Sequence, residues 1–259
     1  MKSAILAALL LAGGPVLAQD NPLQPSATWE DLRESVLGLA GEVAQDAAVL
    51  DLEAPVRAHE AAIVPVRLVQ PAGAPPVRAA TLVIDENPAP VAAEYGFGPA
   101  LMPLDFEMRL RVDSYSDVRV IADTGDGSRV MAGRFVKASG GCSAPAGRDM
   151  AEAEATMGQM RWRSAPQNGR HVGTLMIRHP NFSGLQRDQV TLLNIPAHFI
   201  DRLEVRQGDE MLFSLEAGIS ISEDPVFRFA YDPNGQPIHV RAEDTEGNRW
   251  DQTFAPVSG

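Results

Sequence analysis

The sequence predicts an all-β protein built of two β-sandwiches, and three observations support this fold class. Short runs with β-branched residues or alternating polarity recur over residues 63–138 and again over residues 173–254. Turn-forming clusters rich in Gly, Pro, Asn and Asp, such as 71–73 and 232–235, separate the runs. The 241 residues that follow a predicted leader (259 minus 18) suffice for two domains of roughly 100 residues each.

The first 18 residues have the features of a secretory signal peptide. Lys2 precedes an apolar run over residues 4–12, a Gly-Gly-Pro break follows, and small or apolar residues lead to a cleavage site after Ala18. A membrane anchor is the alternative, but a spanning helix requires about 20 apolar residues. We therefore expect a periplasmic protein with no membrane insertion after signal cleavage.

The charge of the chain bears on its partners. The formal net charge is −12, and loss of Lys2 with the leader makes it −13. Such acidity disfavours nucleic acid as a partner. The acidic residues are spread along the chain, which is typical of a solvated surface.

The first element predicted after the leader is a short helix that Thr28 opens as N-cap, with Trp29, Leu32, Val36 and Leu37 on one face. Two series of strands follow it. The first comprises 63–69, 79–85, 105–112, 117–122 and 129–137, and the second comprises 173–178, 200–206, 211–215, 226–231, 238–243 and 250–254.

Residues 140–170 interrupt the strand pattern. The stretch 149–163 is rich in Ala, Glu and Met and predicts a short amphipathic helix with Met150, Met157 and Met160 near one face. Methionines in such a stripe are usually packing residues, and a soft copper(I) site is the alternative. The stretch 164–169 has the composition of an interdomain linker.

Cys142 is the single cysteine of the chain, so it cannot form an internal disulfide. It follows Gly140 and Gly141 and precedes small residues, which predicts an exposed, mobile segment. Lys137 and Arg148 are near in sequence and could favour the nucleophilic thiolate. A buried cysteine that acts as a small apolar residue is the alternative. An unpaired thiol in an exported protein favours a functional role.

The sequence offers no motif for catalysis or for a bound metal. It contains neither the G-x-S-x-G elbow of hydrolases, nor a P-loop, nor a dinucleotide fingerprint. No two histidines have the spacing of a metal motif; the five are His59, His171, His179, His198 and His239. We therefore predict no catalytic residue, no metal site and no cofactor.

Several stretches resemble the two subunits of the carrier in the thiosulfate-oxidising system. Residues 51–142 are similar to SoxY, and residues 172–254 are similar to SoxZ. The stretches similar to SoxY are 54–55, 61–66, 82–88, Pro90, 92–93, 109–112, 116–119, 122–127 and 140–142. The stretches similar to SoxZ are 177–180, 183–184, 187–188, 195–200, 213–214 and 219–225. With its stretches in this order and spacing, the chain resembles a fused SoxYZ-like protein.

The resemblance implies two immunoglobulin-like domains and a carrier cysteine. It assigns residues 19–139 to a SoxY-like domain, 140–170 to the cysteine-bearing loop with a helix and linker, and 171–259 to a SoxZ-like domain. Cys142 takes the role of covalent carrier, and Gly140 and Gly141 form its swivel. In SoxY the arm ends the chain as Gly-Gly-Cys-Gly-Gly, whereas here Ser143 and Ala144 follow the cysteine and the chain continues.

The fused arrangement resembles SoxYZ-like proteins named for their association with quinoprotein dehydrogenases. The leading hypothesis is a non-enzymatic periplasmic carrier that presents a sulfur-containing or other small intermediate on Cys142 to partner enzymes. Those partners would be Sox-type enzymes or a dehydrogenase system dependent on pyrroloquinoline quinone. The alternatives are a non-covalent adaptor or chaperone of a periplasmic dehydrogenase, and a metal or redox thiol site that uses the methionines.

Overall fold

The computed structural model describes residues 21–39, 41–145 and 150–256; the predicted leader, residues 1–18, lies outside these ranges. Two α-helices (α1, Ala27–Ser35; α2, Met150–Thr156) accompany fourteen β-strands in the described residues. The strands are β1 Asp51–Glu53, β2 Val64–Val69, β3 Ala79–Ile84, β4 Val91–Phe97, β5 Asp105–Leu110, β6 Ser116–Asp123, β7 Arg129–Val136, β8 Met160–Gln167, β9 Arg170–Ile177, β10 Ile200–Gln207, β11 Glu210–Ala217, β12 Val226–Tyr231, β13 Ile238–Asp244 and β14 Arg249–Phe254.

The strands form two sheets, which confirms the predicted all-β fold. One sheet has the order β1-β2-β5-β12-β9-β8, and the other has the order β14-β13-β10-β11-β4-β3-β6-β7. The N-terminal half, β1–β7, supplies three strands to the first sheet and four to the second, and the C-terminal half, β8–β14, supplies the same numbers. Each half is thus a seven-stranded, two-sheet unit of the immunoglobulin-like kind.

The two halves join edge to edge. In the larger sheet β4 pairs with β11 through five residues of each strand, and in the smaller sheet β5 pairs with β12 at Phe106 and Phe229. The rings of Phe106 and Phe213, one from each half, meet edge to face at 5.0 Å. Burial of such aromatic pairs stabilises a junction beyond the area they bury. The main core therefore runs without interruption through both halves.

The N-terminal helix covers the outer face of the larger sheet. Ser26, and not the predicted Thr28, is its N-cap, because the Ser26 side chain accepts a hydrogen bond from the Trp29 amide. Trp29 and Leu32 are buried in a second, smaller core, whereas Val36 is exposed. The ring of Trp29 lies 4.5 Å from the guanidinium of Arg119. This guanidinium is buried and forms ion pairs with Asp85 and Asp117.

All eleven predicted strands are present, and three further strands escaped prediction. Two of these, β1 and β4, lie in stretches without a clear alternation of polarity. The third, β8, lies where the sequence predicted the end of a helix and a linker. Residues 164–169, predicted to be a linker, form the end of β8 and the turn of its hairpin with β9. The predicted methionine stripe is also wrong, because α2 ends at Thr156 and Met160 lies in β8. No described helix has the length and apolar character needed to cross a membrane.

Candidate functional site

Cys142 lies in a turn that follows β7, and its exposed fraction is 0%. The prediction of an exposed segment around this cysteine is therefore wrong for this structure. The thiol lies where the N-terminal half meets the C-terminal half, because hydrogen bonds from both halves reach the turn that carries it. The turn does not project from the molecule as a free arm.

The N-terminal half forms hydrogen bonds to the backbone amides of residues 140–142. The amides of Gly140 and Gly141 donate to the carbonyls of Asp113 (2.6 Å) and Val112 (3.2 Å). The amide of Cys142 donates to the Asp113 carboxylate at 3.1 Å. These residues follow β5 directly, so the sheet positions the segment on which the turn is docked.

The C-terminal half forms hydrogen bonds to carbonyl groups of the turn. The Ser183 hydroxyl donates to the carbonyl of Cys142, and the Gln186 side-chain amide donates to the carbonyl of Ala144 at 2.9 Å. Ser183 and Gln186 are both buried. Because both halves contribute, opening the turn requires breaking hydrogen bonds to two separate parts of the chain.

The two glycines before Cys142 have different structural requirements. Gly140 has φ +74°, a left-handed conformation that glycine adopts without steric cost. Gly141 is packed so closely that a Cβ there would lie 2.2 Å from the carbonyl oxygen of Ala61 and 2.5 Å from that of Val112. Here the glycines allow the turn to dock closely, while their role as a swivel stays a prediction.

The surroundings of the thiol oppose its ionisation. Burial raises the pKa of Cys142 to about 12, the Asp113 carboxylate adds to the rise, and the Arg111 guanidinium partly offsets it. The expectation that Lys137 would favour the thiolate is not met, and the same expectation for Arg148 stays a prediction. Lys137 is not among the groups that shift this pKa, and Arg148 lies outside the described residues. The closed turn therefore keeps the thiol protonated and unreactive.

Arg111 is the cation beside Cys142, and its exposed fraction is only 1%. Its Nη1 donates to the Gly141 carbonyl at 3.2 Å, and its Nη2 donates to the Asn181 carbonyl at 3.4 Å. Its Nε has no hydrogen-bond partner in the part of the chain that the structure describes. Among the described residues, no carboxylate lies within ion-pair distance of this guanidinium. Burial lowers its pKa, and Glu223 is the strongest opposing charge.

A second polar cluster lies in the C-terminal half, where His179 and His198 meet at Asp244. The Nε2 atoms of the two rings lie 3.3 and 2.6 Å from the Asp244 Oδ2. Asp244 also accepts hydrogen bonds from the Glu246 and Asn248 amides. The sequence separations of 65 and 46 residues explain why motif spacing did not reveal this cluster.

The cluster has the residue types of a metal site, but the protonation state of His179 does not suit one. The Asn181 amide donates to the His179 Nδ1 at 3.0 Å, so this nitrogen carries no proton. In the neutral ring the proton is then on Nε2, which faces Asp244 and cannot donate a lone pair to a metal. Burial lowers the pKa of His179 to about 4, which keeps the ring neutral. The cluster is therefore best described as a hydrogen-bonded core group.

His179 makes the stability of the protein depend on pH. An unfolded histidine binds a proton below about pH 6.5, whereas folded His179 does so only near pH 4. We expect the free energy of unfolding to fall by about 3 kcal/mol from this group as the pH drops from 7 to 4. Urea unfolding across this range measures the loss. His179→Asn should flatten the slope and the control His239→Asn should keep it; equal slopes in all three proteins would contradict the assignment.

Sequence reasoning found Cys142, Gly140 and Gly141 but missed the groups that surround them. The stretch that contains Arg111 alternates as Arg109-Leu110-Arg111-Val112, a pattern that by itself predicts both arginines on the exposed face of a strand. Local sequence therefore gave no signal for the burial of Arg111. His179 and His198 lie within two of the SoxZ-like stretches. No local pattern indicated that Ser183 or Gln186 would contact the turn.

The fold and the site define a two-half β-sandwich protein with one sequestered thiol at the junction of its halves. Residues 34–142 match the family described as sulfur oxidation protein SoxY, and residues 160–255 match the family described as sulphur oxidation protein SoxZ. The chain belongs to these families as a SoxY part followed by a SoxZ part in one polypeptide. A comparison with curated proteins found no match.

These families are sulfur-oxidation carriers that serve as non-catalytic partners of separate Sox enzymes. The SoxY match ends at Cys142, and the SoxZ match begins at Met160, the first residue of β8. The segment between the two matches, which contains α2, connects the cysteine to the first strand of the C-terminal half.

Proposed function

We propose that this protein is an extracytoplasmic covalent carrier. It holds a sulfur-containing or other small intermediate on Cys142 and presents it to separate periplasmic enzymes, of the Sox type or of a quinoprotein dehydrogenase system. Its membership of the SoxY and SoxZ families supports this proposal, since these are carriers without catalytic activity of their own. The predicted signal peptide supports the location outside the cytoplasm.

The main structural support for the proposal is that both halves form hydrogen bonds to the turn that carries Cys142. The turn is held by a limited set of hydrogen bonds at the junction, and small residues follow the cysteine. Each such bond contributes about 1 kcal/mol, so a partner that replaces them can release the turn. A thiol buried between uses is protected from oxidants, which a periplasmic carrier requires.

The carrier cycle therefore starts with opening of the turn. In the closed form the raised pKa of Cys142 leaves very little thiolate, and the thiolate is the form that attacks an electrophile. Moving the thiol into water removes the cost of burial and separates it from Asp113. Opening and chemical activation are thus the same event, which confines loading to the partner enzyme.

The proposal is tested on protein purified from the native host. Trypsin cleaves after Lys137 and Arg148 and releases Cys142 in the peptide 138–148. Cells are lysed in urea with N-ethylmaleimide, which blocks free thiols, and the peptide is then weighed. We expect a mass other than that of the maleimide adduct on Cys142 in a fraction of the molecules under conditions that induce the partner enzymes. A Cys142 that carries only the maleimide under every growth condition would reject the carrier role.

The adaptor function is the second candidate, and the full burial of Cys142 favours it. A non-covalent adaptor has no use for an accessible thiol. Cys142→Ser separates the two functions, because the hydroxyl preserves the size of the side chain and lacks the nucleophile. An adaptor keeps its affinity for the partner and its physiological activity after this change, whereas a carrier loses the activity.

A further inference from the structure

The guanidinium of Arg111, which acts on the carrier thiol, has an edge that no described residue fills. In Arg67 the atoms Nε and Nη2 together hold the Asp105 carboxylate, at 2.7 and 2.9 Å. In Arg119 the Nε donates to both oxygens of Asp85, at 3.0 Å each. In Arg111 the Nε has no partner, and the Nη2 makes one long contact of 3.4 Å to a carbonyl.

The burial of this edge makes its missing hydrogen bond costly. Arg111 is exposed to 1%, and a guanidinium remains charged in proteins. A buried cation is normally paired with a carboxylate, because removal from water without a counter-ion costs several kcal/mol. The carboxylates that act on Arg111 are Glu223 and Glu60, and neither lies within ion-pair distance of the guanidinium. Among the residues that the structure describes, the guanidinium therefore lacks a paired negative charge.

Arg111 lies close enough to the turn for its unpaired edge to act on a group carried by Cys142. Its Nη1 holds the Gly141 carbonyl, one residue before the thiol, and its Nη2 contacts Asn181 in the C-terminal half. An adduct on Cys142 starts within the same turn. Asp113 is the carboxylate that acts on the thiol, and it accepts a hydrogen bond from the Cys142 amide, which offsets part of its charge.

We propose that Arg111 binds the negatively charged end of the group carried on Cys142 and holds the loaded turn at the junction of the two halves. The proposal rests on the carrier function and specifies the class of cargo as a small anion, such as a sulfur oxoanion or a carboxylate. The planar Nε and Nη2 edge matches two oxygens of such an anion. Ser143 and Ala144 are small, so the turn can shift outward to make room for the adduct.

Two adducts of nearly equal shape test the charge preference directly. Iodoacetate and iodoacetamide both alkylate the Cys142 thiolate: the C–S bond forms, iodide leaves, and the thiol proton goes to solvent. The products, S-carboxymethyl and S-carbamidomethyl cysteine, differ by one negative charge. The full chain is alkylated in urea and refolded, and exchange of the backbone amides of residues 140–144 is then measured.

We expect these amides to exchange about tenfold more slowly in the carboxymethyl protein than in the carbamidomethyl protein, as a charge-assisted pair of hydrogen bonds implies. In Arg111→Gln the difference should vanish, and in Arg111→Lys it should shrink, because lysine keeps the charge but lacks the two-nitrogen edge. Arg67→Gln is the matched control and should keep the full difference.

Equal exchange of the two wild-type adducts, faster exchange of the charged one, or a difference that survives in Arg111→Gln would overturn the proposal. The wild-type comparison alone decides it if a variant fails to fold. The result is independent of the native cargo, since both adducts are synthetic. A missing adduct in the native host would therefore reject the carrier function without affecting this measurement.

Discussion

In the folded protein, Cys142 is expected to react with iodoacetamide at pH 8 at least about a thousand times more slowly than in the unfolded chain. The reason is the pKa of the thiol, about 12 in the fold against 9 for a free thiol. At pH 8 this difference lowers the thiolate fraction about a thousandfold, and burial of the sulfur slows the reaction further. Intact-mass spectrometry over a time course, in buffer and in urea, gives both rates.

Single changes in the C-terminal half should accelerate this reaction. Ser183→Ala and Gln186→Ala each remove a hydrogen bond to the turn, which favours opening by about fivefold for each kcal/mol lost. Ser143→Ala is the control, because its hydroxyl makes only a long, exposed contact of 3.4 Å to Gly140. A wild-type rate within tenfold of the unfolded chain would show that the turn is open in solution.

The second large effect is expected from Gly141→Ala. The added methyl group would lie 2.2 and 2.5 Å from two backbone oxygens, those of Ala61 and Val112. Neither oxygen can move away easily, because Ala61 accepts from the Val112 amide and both segments are anchored in the fold. The turn then cannot dock, and we expect alkylation of Cys142 to be at least about a hundredfold faster than in the wild type.

Gly140→Ala is the matched control for this change. Its φ of +74° makes alanine unfavourable by about 1 kcal/mol, but the nearest atom to the new Cβ would be the Ser143 hydroxyl at 3.7 Å. This cost predicts an acceleration of only about fivefold. Near-UV circular dichroism checks that both variants keep the native core. Equal rates in the two variants would mean that close packing of Gly141 does not hold the turn.

If both results hold, the two glycines serve the closed form as well as any swivel motion. The sequence Gly140-Gly141-Cys142 is compatible with a free arm and with a tightly docked turn, because the missing Cβ permits both. Local sequence therefore could not decide between an exposed and a buried thiol. Residues 112–113 and Ser183 decided it, and the latter is 41 positions from Cys142.

The secondary structure was more accessible to prediction than the site. Alternating polarity and turn clusters report directly on strands, so all eleven predicted strands are present. The prediction of a linker at 164–169 was wrong because the polar, proline-containing composition of this segment resembles a linker. Pairing with β9 makes the segment the end of an edge strand. Proline is tolerated at such an edge.

The sequence by itself determined the all-β class, the order of a SoxY part before a SoxZ part, and Cys142 as the only thiol available for covalent chemistry. Residue types and local periodicity are sufficient to indicate these features. Only the tertiary structure decided that the thiol is buried and protonated, that Arg111 lies beside it with an unpaired edge, and that the two halves share both sheets. Those features depend on hydrogen bonds, charges and strand pairs between residues far apart in the chain, and burial strengthens each of them by excluding water.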